Sequence, residues 1–306
     1  MNQPVTARAP GKINVSFRVG PPRPDGYHPV ASLYLAVSLF EDVAATARED
    51  GEITVGLSGA STAVEDPEAF PLGEDNLVVR AARLLAEHTG HASGVHLEIT
   101  KRVPIAGGMG GGSADAAAAL VACNSLWGTG LTREELGRLG ARLGADVPFA
   151  LSGGAAVGLG VGDQLSPLLL RSRTDWVLAL ASYGLSTPAV YQQLDLLREG
   201  QDIEVPHAVD PDLLHALVDH DLVMLPGLLA NDLTAAAVHL APELEAVLDM
   251  GRGAGALTAL VSGSGPTVAL LAEDPGHAGQ LATQLIDEAG IDTRIVHGPV
   301  PGARII

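Results

Sequence analysis

A chain of mixed strands and helices in two domains is what this sequence predicts, and three observations predict it. The first part of the chain alternates apolar and polar positions with the period of strands. A glycine-rich stretch around Gly110 lies between one more strand pattern and an alanine-rich helix. Beyond the charged stretch Arg171-Ser-Arg-Thr-Asp175, the apolar run beginning at Trp176 opens a second series of elements. The 306 residues suffice for two domains of ordinary size, which we place at 1–168 and 169–306.

Taken in order, residues 5–8 and 13–19 read as strands interrupted at Pro10-Gly11, which leaves Lys12 and Asn14 at the interruption. Residues 21–29 form a proline-punctuated loop ending in Tyr27 and His28, in a chain with only 3% aromatic residues. Strands are expected at 30–37, 41–47 and 53–57, and Asn76 opens a helix over 77–88. Val95, Leu97 and Ile99 alternate with polar neighbours as in a half-buried strand, and the helix after the glycines carries Leu120, Cys123 and Trp127 on one stripe. Thr132-Arg-Glu-Glu135 is a capping box opening a helix that ends near Gly144; Asp146 follows, where Pro148 biases Val147 toward extended backbone. In the second half Ser186-Thr-Pro188 starts a helix before Tyr191, and helices are expected over 213–225, 228–240 and 243–250. The turn Ser262-Gly-Ser-Gly-Pro266 joins two strands, with a helix at 277–289 and a strand at 293–297 to close. That turn reads equally as a plain connection or as a ligand contact.

The central stretch carries the chemistry. Gly107, Gly108, Gly110, Gly111 and Gly112 remove every Cβ that would hold a ligand off the backbone, and Ser113 is expected as the N-cap of the helix. Unpaired N–H groups and the positive end of the helix dipole then make a seat for phosphate. It is not a Walker loop, since no lysine stands between Gly112 and Ser113. The G-x-G-x-x-G spacing also fails, because its third glycine position falls on Ser113.

Composition bounds the partners. A net charge of -18 argues against nucleic-acid or anionic-membrane binding, both of which need a basic footprint. Beyond a Debye length of about 8 Å that field is screened, so a local nest of amides with one or two cations can still hold a small anion. No apolar run is long enough for a membrane span, and the polar start Met1-Asn-Gln-Pro has no signal-peptide core, so the cytoplasm is expected. The single cysteine, Cys123, reads as a packing residue. Of the 18 basic residues sixteen are arginine; the two lysines, Lys12 and Lys101, stand in Ala-Pro-Gly-Lys-Ile-Asn and at the entrance to the glycine loop. A metal site at His215, Asp219 and His220 is rejected, since nothing completes a ligand set.

Ala9-Pro-Gly-Lys-Ile-Asn14, Pro104-Ile-Ala-Gly-Gly-Met-Gly-Gly-Gly-Ser-Ala114 and Ser262-Gly-Ser-Gly-Pro-Thr267 resemble, in order and spacing, the three motifs of the GHMP kinase superfamily. Asp25-Gly-Tyr-His28 and Gly144-Ala-Asp-Val-Pro-Phe149 are similar to those of its branch acting on a cytidine-diphosphate-linked methylerythritol, and the similarity spans essentially the whole chain. The resemblance implies an α+β fold of two domains, the first like ribosomal protein S5 domain 2 and the second ferredoxin-like, with the site between them. It implies transfer of phosphate from ATP, with Mg²⁺, to the 2-hydroxyl of that substrate in the non-mevalonate route to isoprenoid precursors, by a monomer or weak homodimer. Lys12 and Asp146 would be the catalytic pair. Pro104, Ile105, Ala106, Gly107, Gly108, Met109, Gly110, Gly111, Gly112, Ser113 and Ala114 would hold ATP, with Ser113 the candidate toward Mg²⁺. Tyr27 would stack on cytosine, His28 would read its edge, and Asn14 would lie near the reacting hydroxyl. Phosphoryl transfer needs such a set: a carboxylate for the hydroxyl proton, a cation near the oxygens, and N–H groups on the phosphates. A homoserine- or mevalonate-type kinase would need no base pocket, which Tyr27-His28 speaks against. A non-catalytic nucleotide-binding protein would be expected to have lost Lys12 or Asp146.

Overall fold

Two long strands frame the N-terminal half. β1 (Val5–Val19) and β2 (Val30–Arg48) pair antiparallel from Val5↔Ala45 to Val19↔Val30. The chain is seen in a computed structural model that describes residues 3–64, 66–68 and 70–306. Pro10-Gly11 does not end the first strand, nor does the second break near residue 38. Instead the register slips between Pro10 and Gly11, where Ser38 and Leu39 are extra, and between Asn14 and Ser16, where Val15 is extra. A bulge tolerates the missing N–H of proline and re-aims nearby side chains. Lys12 and Asn14, two residues apart and hence on one face, lie between the two slips and are both buried.

The half continues with β3 (Ile53–Leu57), α1 (Leu77–Thr89), β4 (Gly94–Thr100), α2 (Gly111–Leu126), α3 (Arg133–Ala141), α4 (Val147–Ser152), β5 (Ala155–Leu159) and β6 (Gln164–Leu168). Asn76 caps α1 by accepting from Val78 N, and the Thr132–Glu135 capping box starts α3. α2 differs from the expected single stripe: its residues 114–120 are all buried. Alanines make a helix thin enough to be enclosed, and a helix apolar all round belongs in a core. Val147 is helical rather than extended, because Pro148 falls in the first turn of α4, where its missing N–H costs nothing.

The second half runs β7 (Thr174–Leu180), α5 (Thr187–Leu197), α6 (Pro211–Asp219), α7 (Leu225–Leu228), β8 (Ala230–Asn231), α8 (Thr234–Leu240), α9 (Glu243–Gly253), β9 (Thr258–Val261), β10 (Val268–Ala272), α10 (Pro275–Ala289), β11 (Asp292–Gly298) and β12 (Arg304–Ile305). The helix expected over 213–225 stops at Asp219, where His220 turns left-handed at φ 56°. The one expected over 228–240 is interrupted by β8, which pairs with β1 through Phe17↔Asn231. Tertiary pairing overrode helical periodicity there.

One sheet has the order β12-β1-β2-β4-β3, with β5 and β6 continuing from β2 and β8 beside β1; the other has the order β11-β7-β10-β9 and is antiparallel throughout. The helices α1 to α4 cover one face of the first sheet through Val43, Leu97, Ile99 and Leu120. The second sheet packs its Val177, Val261 and Leu270 against α5, α8, α9 and α10. A third core joins the halves, with Ile13, Val15, Leu33 and Leu35 meeting Trp176, Leu178, Leu260 and Leu271. The chain thus forms two α+β halves around a shared apolar seam.

Candidate active site

Backbone geometry builds the glycine loop. Gly108 and Gly110 take φ of 76° and 67°, and Gly110, not Ser113, is the N-cap of α2. A left-handed residue turns the strand exit into the helix in one step, so Ser113 falls inside the first turn and makes no cap. The second glycine turn buttresses the first. Ser262 Oγ donates to Gly108 O at 3.2 Å, and a Cβ added to Gly108 would lie 2.0 Å from Ser262 O. Only glycine permits that approach. Residues 104–112 all line a cavity of about 540 Å³ between the two halves, whereas Ser113 and Ala114 do not.

Lys12 and Asp146 face each other across this cavity, with Nζ 3.6 Å from Oδ2. The bulged strand holds the lysine: its N–H donates to Met109 O at 3.0 Å, tying β1 to the glycine loop, and its Nζ donates to Asn14 Oδ1 at 2.6 Å. Asn14 Nδ2 in turn donates to Ser32 Oγ at 2.7 Å, which fixes the amide so that its oxygen faces the lysine. The ammonium also sits 5.6 Å from the centre of the buried Tyr34 ring. A Cβ on Gly110 would lie 3.3 Å from Lys12 Cγ and 3.4 Å from Asp146 Oδ2, so any side chain there would press on both members of the pair.

Lys101 also lines the cavity but has different partners. Its Nζ donates to Asp115 Oδ2 at 2.7 Å and to Glu41 Oε1 at 2.5 Å, and Glu41 also accepts from the N–H groups of Arg102 and Val103. All three side chains are nearly inaccessible. Burial works to lower the lysine, but Asp115 and Glu41 outweigh it and hold its ammonium above the ordinary range. Burial pushes Glu41 up to about 7, with Lys101 opposing and Asp115 adding to the rise. The triad ties β2, the exit of β4 and the first turn of α2 together beneath the glycine loop.

More of the cavity wall comes from both halves, with Phe70, Pro71 and Asn76 from the first and Thr187, Tyr191, Gly263 and Ser264 from the second. Thr187 Oγ1 and Ser264 Oγ lie 2.8 Å apart and link α5 to the second glycine turn. His28 is buried, with its Nε2 2.8 Å from Asp195 Oδ1 and its ring 4.9 Å from that of Tyr191. Tyr27 is 64% exposed on its loop, and neither Tyr27 nor His28 is among the residues that line the cavity; His28 reaches it only through Tyr191.

Comparison with known proteins bears on this geometry. The family model for the GHMP kinases N terminal domain matches residues 76–154, and that for the GHMP kinases C terminal domain matches residues 213–292. A 4-diphosphocytidyl-2-C-methyl-D-erythritol kinase of Pseudarthrobacter chlorophenolicus is 59% identical over 99% of this chain and 95% of its own. One of Thermobifida fusca is 49% identical over the full length of both. The chain belongs to the 4-diphosphocytidyl-2-C-methyl-D-erythritol kinase family of GHMP kinases. A solved structure of a 4-(cytidine 5'-diphospho)-2C-methyl-D-erythritol kinase superposes with a TM-score of 0.76 at 32% identity, covering 95% of this chain and 98% of its own. A homoserine kinase from Cytophaga hutchinsonii gives the same TM-score at 20% identity, covering 100% and 98%, which speaks for the fold alone.

In this GHMP kinase several cavity residues escape the sequence reading. Tyr191 and Thr187 lie far from the glycine loop in sequence and arrive only through the packing of the halves, whereas Gly263 and Ser264 belong to the turn that reads equally as a connection or a ligand contact. The turn at 262–266 had a visible signal in its glycines; Tyr191 had only its rarity, as one of 4 tyrosines. Gly110→Val is expected to keep the fold and to weaken ATP binding at least about tenfold, since a β-branched residue is strained at φ 67° and its side chain enters the Lys12–Asp146 gap. Titration calorimetry on the folded variant tests it, and unchanged affinity would take the loop out of the nucleotide site.

Proposed function

We infer that this ATP-dependent small-molecule kinase transfers the γ-phosphoryl group of ATP to the 2-hydroxyl of 4-diphosphocytidyl-2-C-methyl-D-erythritol, in the non-mevalonate route to isoprenoid precursors. The observation that carries the reading is the Lys12–Asp146 pair, 3.6 Å apart at the end of a cradle of glycines. The amides of Gly111 and Gly112 open α2 toward the cavity, and no Cβ keeps phosphate from them. Asp146 takes the proton of the acceptor hydroxyl as its oxygen bonds the γ-phosphorus, the bond to the β,γ-bridging oxygen breaks, and ADP leaves. Lys12, oriented by Asn14, stabilises charge on the oxygens being joined. Mg²⁺ would neutralise the phosphates when bound. Ser113, which follows Gly112 in the first turn of α2 but does not line the cavity, would be the candidate of the glycine loop toward it.

On the acceptor side Tyr191 gives a ring face at the cavity and His28 lies against it, which suits a nucleobase; Tyr27 would reach the same base from its loop. We read the N-terminal half as ribosomal protein S5 domain 2-like and the C-terminal half, with its four-stranded antiparallel sheet, as ferredoxin-like. No helix among the described residues is long and apolar enough to cross a membrane. ATP consumption against a panel of alcohols, with and without a cytidine diphosphate group, tests the assignment. Turnover is expected only with the cytidine-linked methylerythritol, and a uridine-linked analogue should be poorer by at least about tenfold, since it leaves hydrogen-bonding partners unmatched. Turnover of free homoserine or mevalonate instead would overturn it.

A further inference from the structure

We propose that Asp195 fixes the tautomer of His28 and so makes the site prefer a base that presents an amino group over one that presents a carbonyl. The proposal rests on the reading of the acceptor given above and names the residue that sets its selectivity. His28 closes the loop between β1 and β2, and its side chain is 5% exposed. Its partners come from the other half of the molecule. Tyr191 and Asp195 stand one turn apart on α5, at i and i+4, so one helical face supplies both the ring 4.9 Å from the imidazole and the carboxylate 2.8 Å from Nε2.

A carboxylate can only accept, so Nε2 must carry the proton. In the neutral ring Nδ1 is then an acceptor, and among the described residues nothing donates to it. An acceptor complements the exocyclic amino group of cytosine; toward the carbonyl that uracil carries at the same position it sets oxygen against a lone pair. Without Asp195 the imidazole is free to move its proton to Nδ1 and to pair with the carbonyl. Asp195 is therefore a positioning residue that acts on the base only through His28. Its half-exposed side chain leaves room for substitution without loss of the fold.

Two measurements on the full-length protein test this. Long-range ¹H–¹⁵N correlation spectra of the His28 ring report the tautomer directly, with Nε2–H expected in the parent and a mixture in Asp195→Ala. The ratio of kcat/KM for cytidine-linked over uridine-linked substrate is expected to fall at least about tenfold in Asp195→Ala. Asp195→Asn, whose Oδ1 still accepts from Nε2, should keep most of the parent's ratio. A parent His28 protonated at Nδ1, or an Asp195→Ala enzyme with the parent's ratio, would overturn the proposal. A parent that fails to consume ATP with the cytidine-linked substrate overturns the functional reading instead, and the His28 spectrum still decides the tautomer.

Discussion

Asp146→Asn is expected to lower kcat by about 10²–10⁴ while changing the affinity for the acceptor little, because it keeps size and some hydrogen bonding but removes the group that takes the proton. Asp146 is half-buried before α4 and faces Lys12 at 3.6 Å, longer than a hydrogen bond, so neither group is tied to the other and both can address one acceptor hydroxyl. Lys12→Arg should fall comparably. A planar guanidinium cannot occupy the slot where Nζ meets Asn14 Oδ1 at 2.6 Å beneath the Tyr34 ring, and Gly110 lies against the lysine stem. Steady-state kinetics paired with calorimetry of acceptor binding separate the terms. If both variants turn over near the parent rate, the chemistry lies elsewhere in the cavity.

Lys101→Met is expected to destabilise the fold by about 3–5 kcal/mol at pH 8, since it strands two buried carboxylates without their cation. The deficit should shrink as the pH falls. In the folded protein Glu41 is raised from 4.5 to about 7, so the folded chain binds more protons there than the unfolded chain between those values. The site's contribution to stability is therefore full below about pH 4.5 and is lost as the pH rises through about 7. Removing the lysine takes away what holds the carboxyls down and steepens that loss. Urea unfolding of parent and variant at pH 5.5 and pH 8 reads the difference; equal deficits at both would mean that the triad does not share protons in this way.

The sequence by itself determined the α+β character, the strand-loop-helix unit around Gly110, the caps of α1 and α3, and the residues Lys12, Asn14 and Asp146 as candidates. Lys12, Asn14 and Asp146 were candidates through the likeness of their motifs to those of the GHMP kinases; the elements and caps rest on short-range rules: a period of two, a turn that needs glycine, a cap three residues from its partner. The same rules misplaced Ser113 as a cap and broke β1 at Pro10-Gly11, because a left-handed Gly110 and a register slip against β2 are decided by what lies across the sheet. Of the two lysines, composition marked both alike. Only the folded chain separates them: both line the cavity, Lys12 beside one carboxylate and Lys101 buried between two. Tyr191 and Asp195 became neighbours of His28 in the same way, across 167 residues of chain between His28 and Asp195. Local sequence holds no record of such a distance; the apolar seam of Ile13, Leu33, Trp176 and Leu260 closes it by removing that surface from water, and the cavity is what the two halves leave between them.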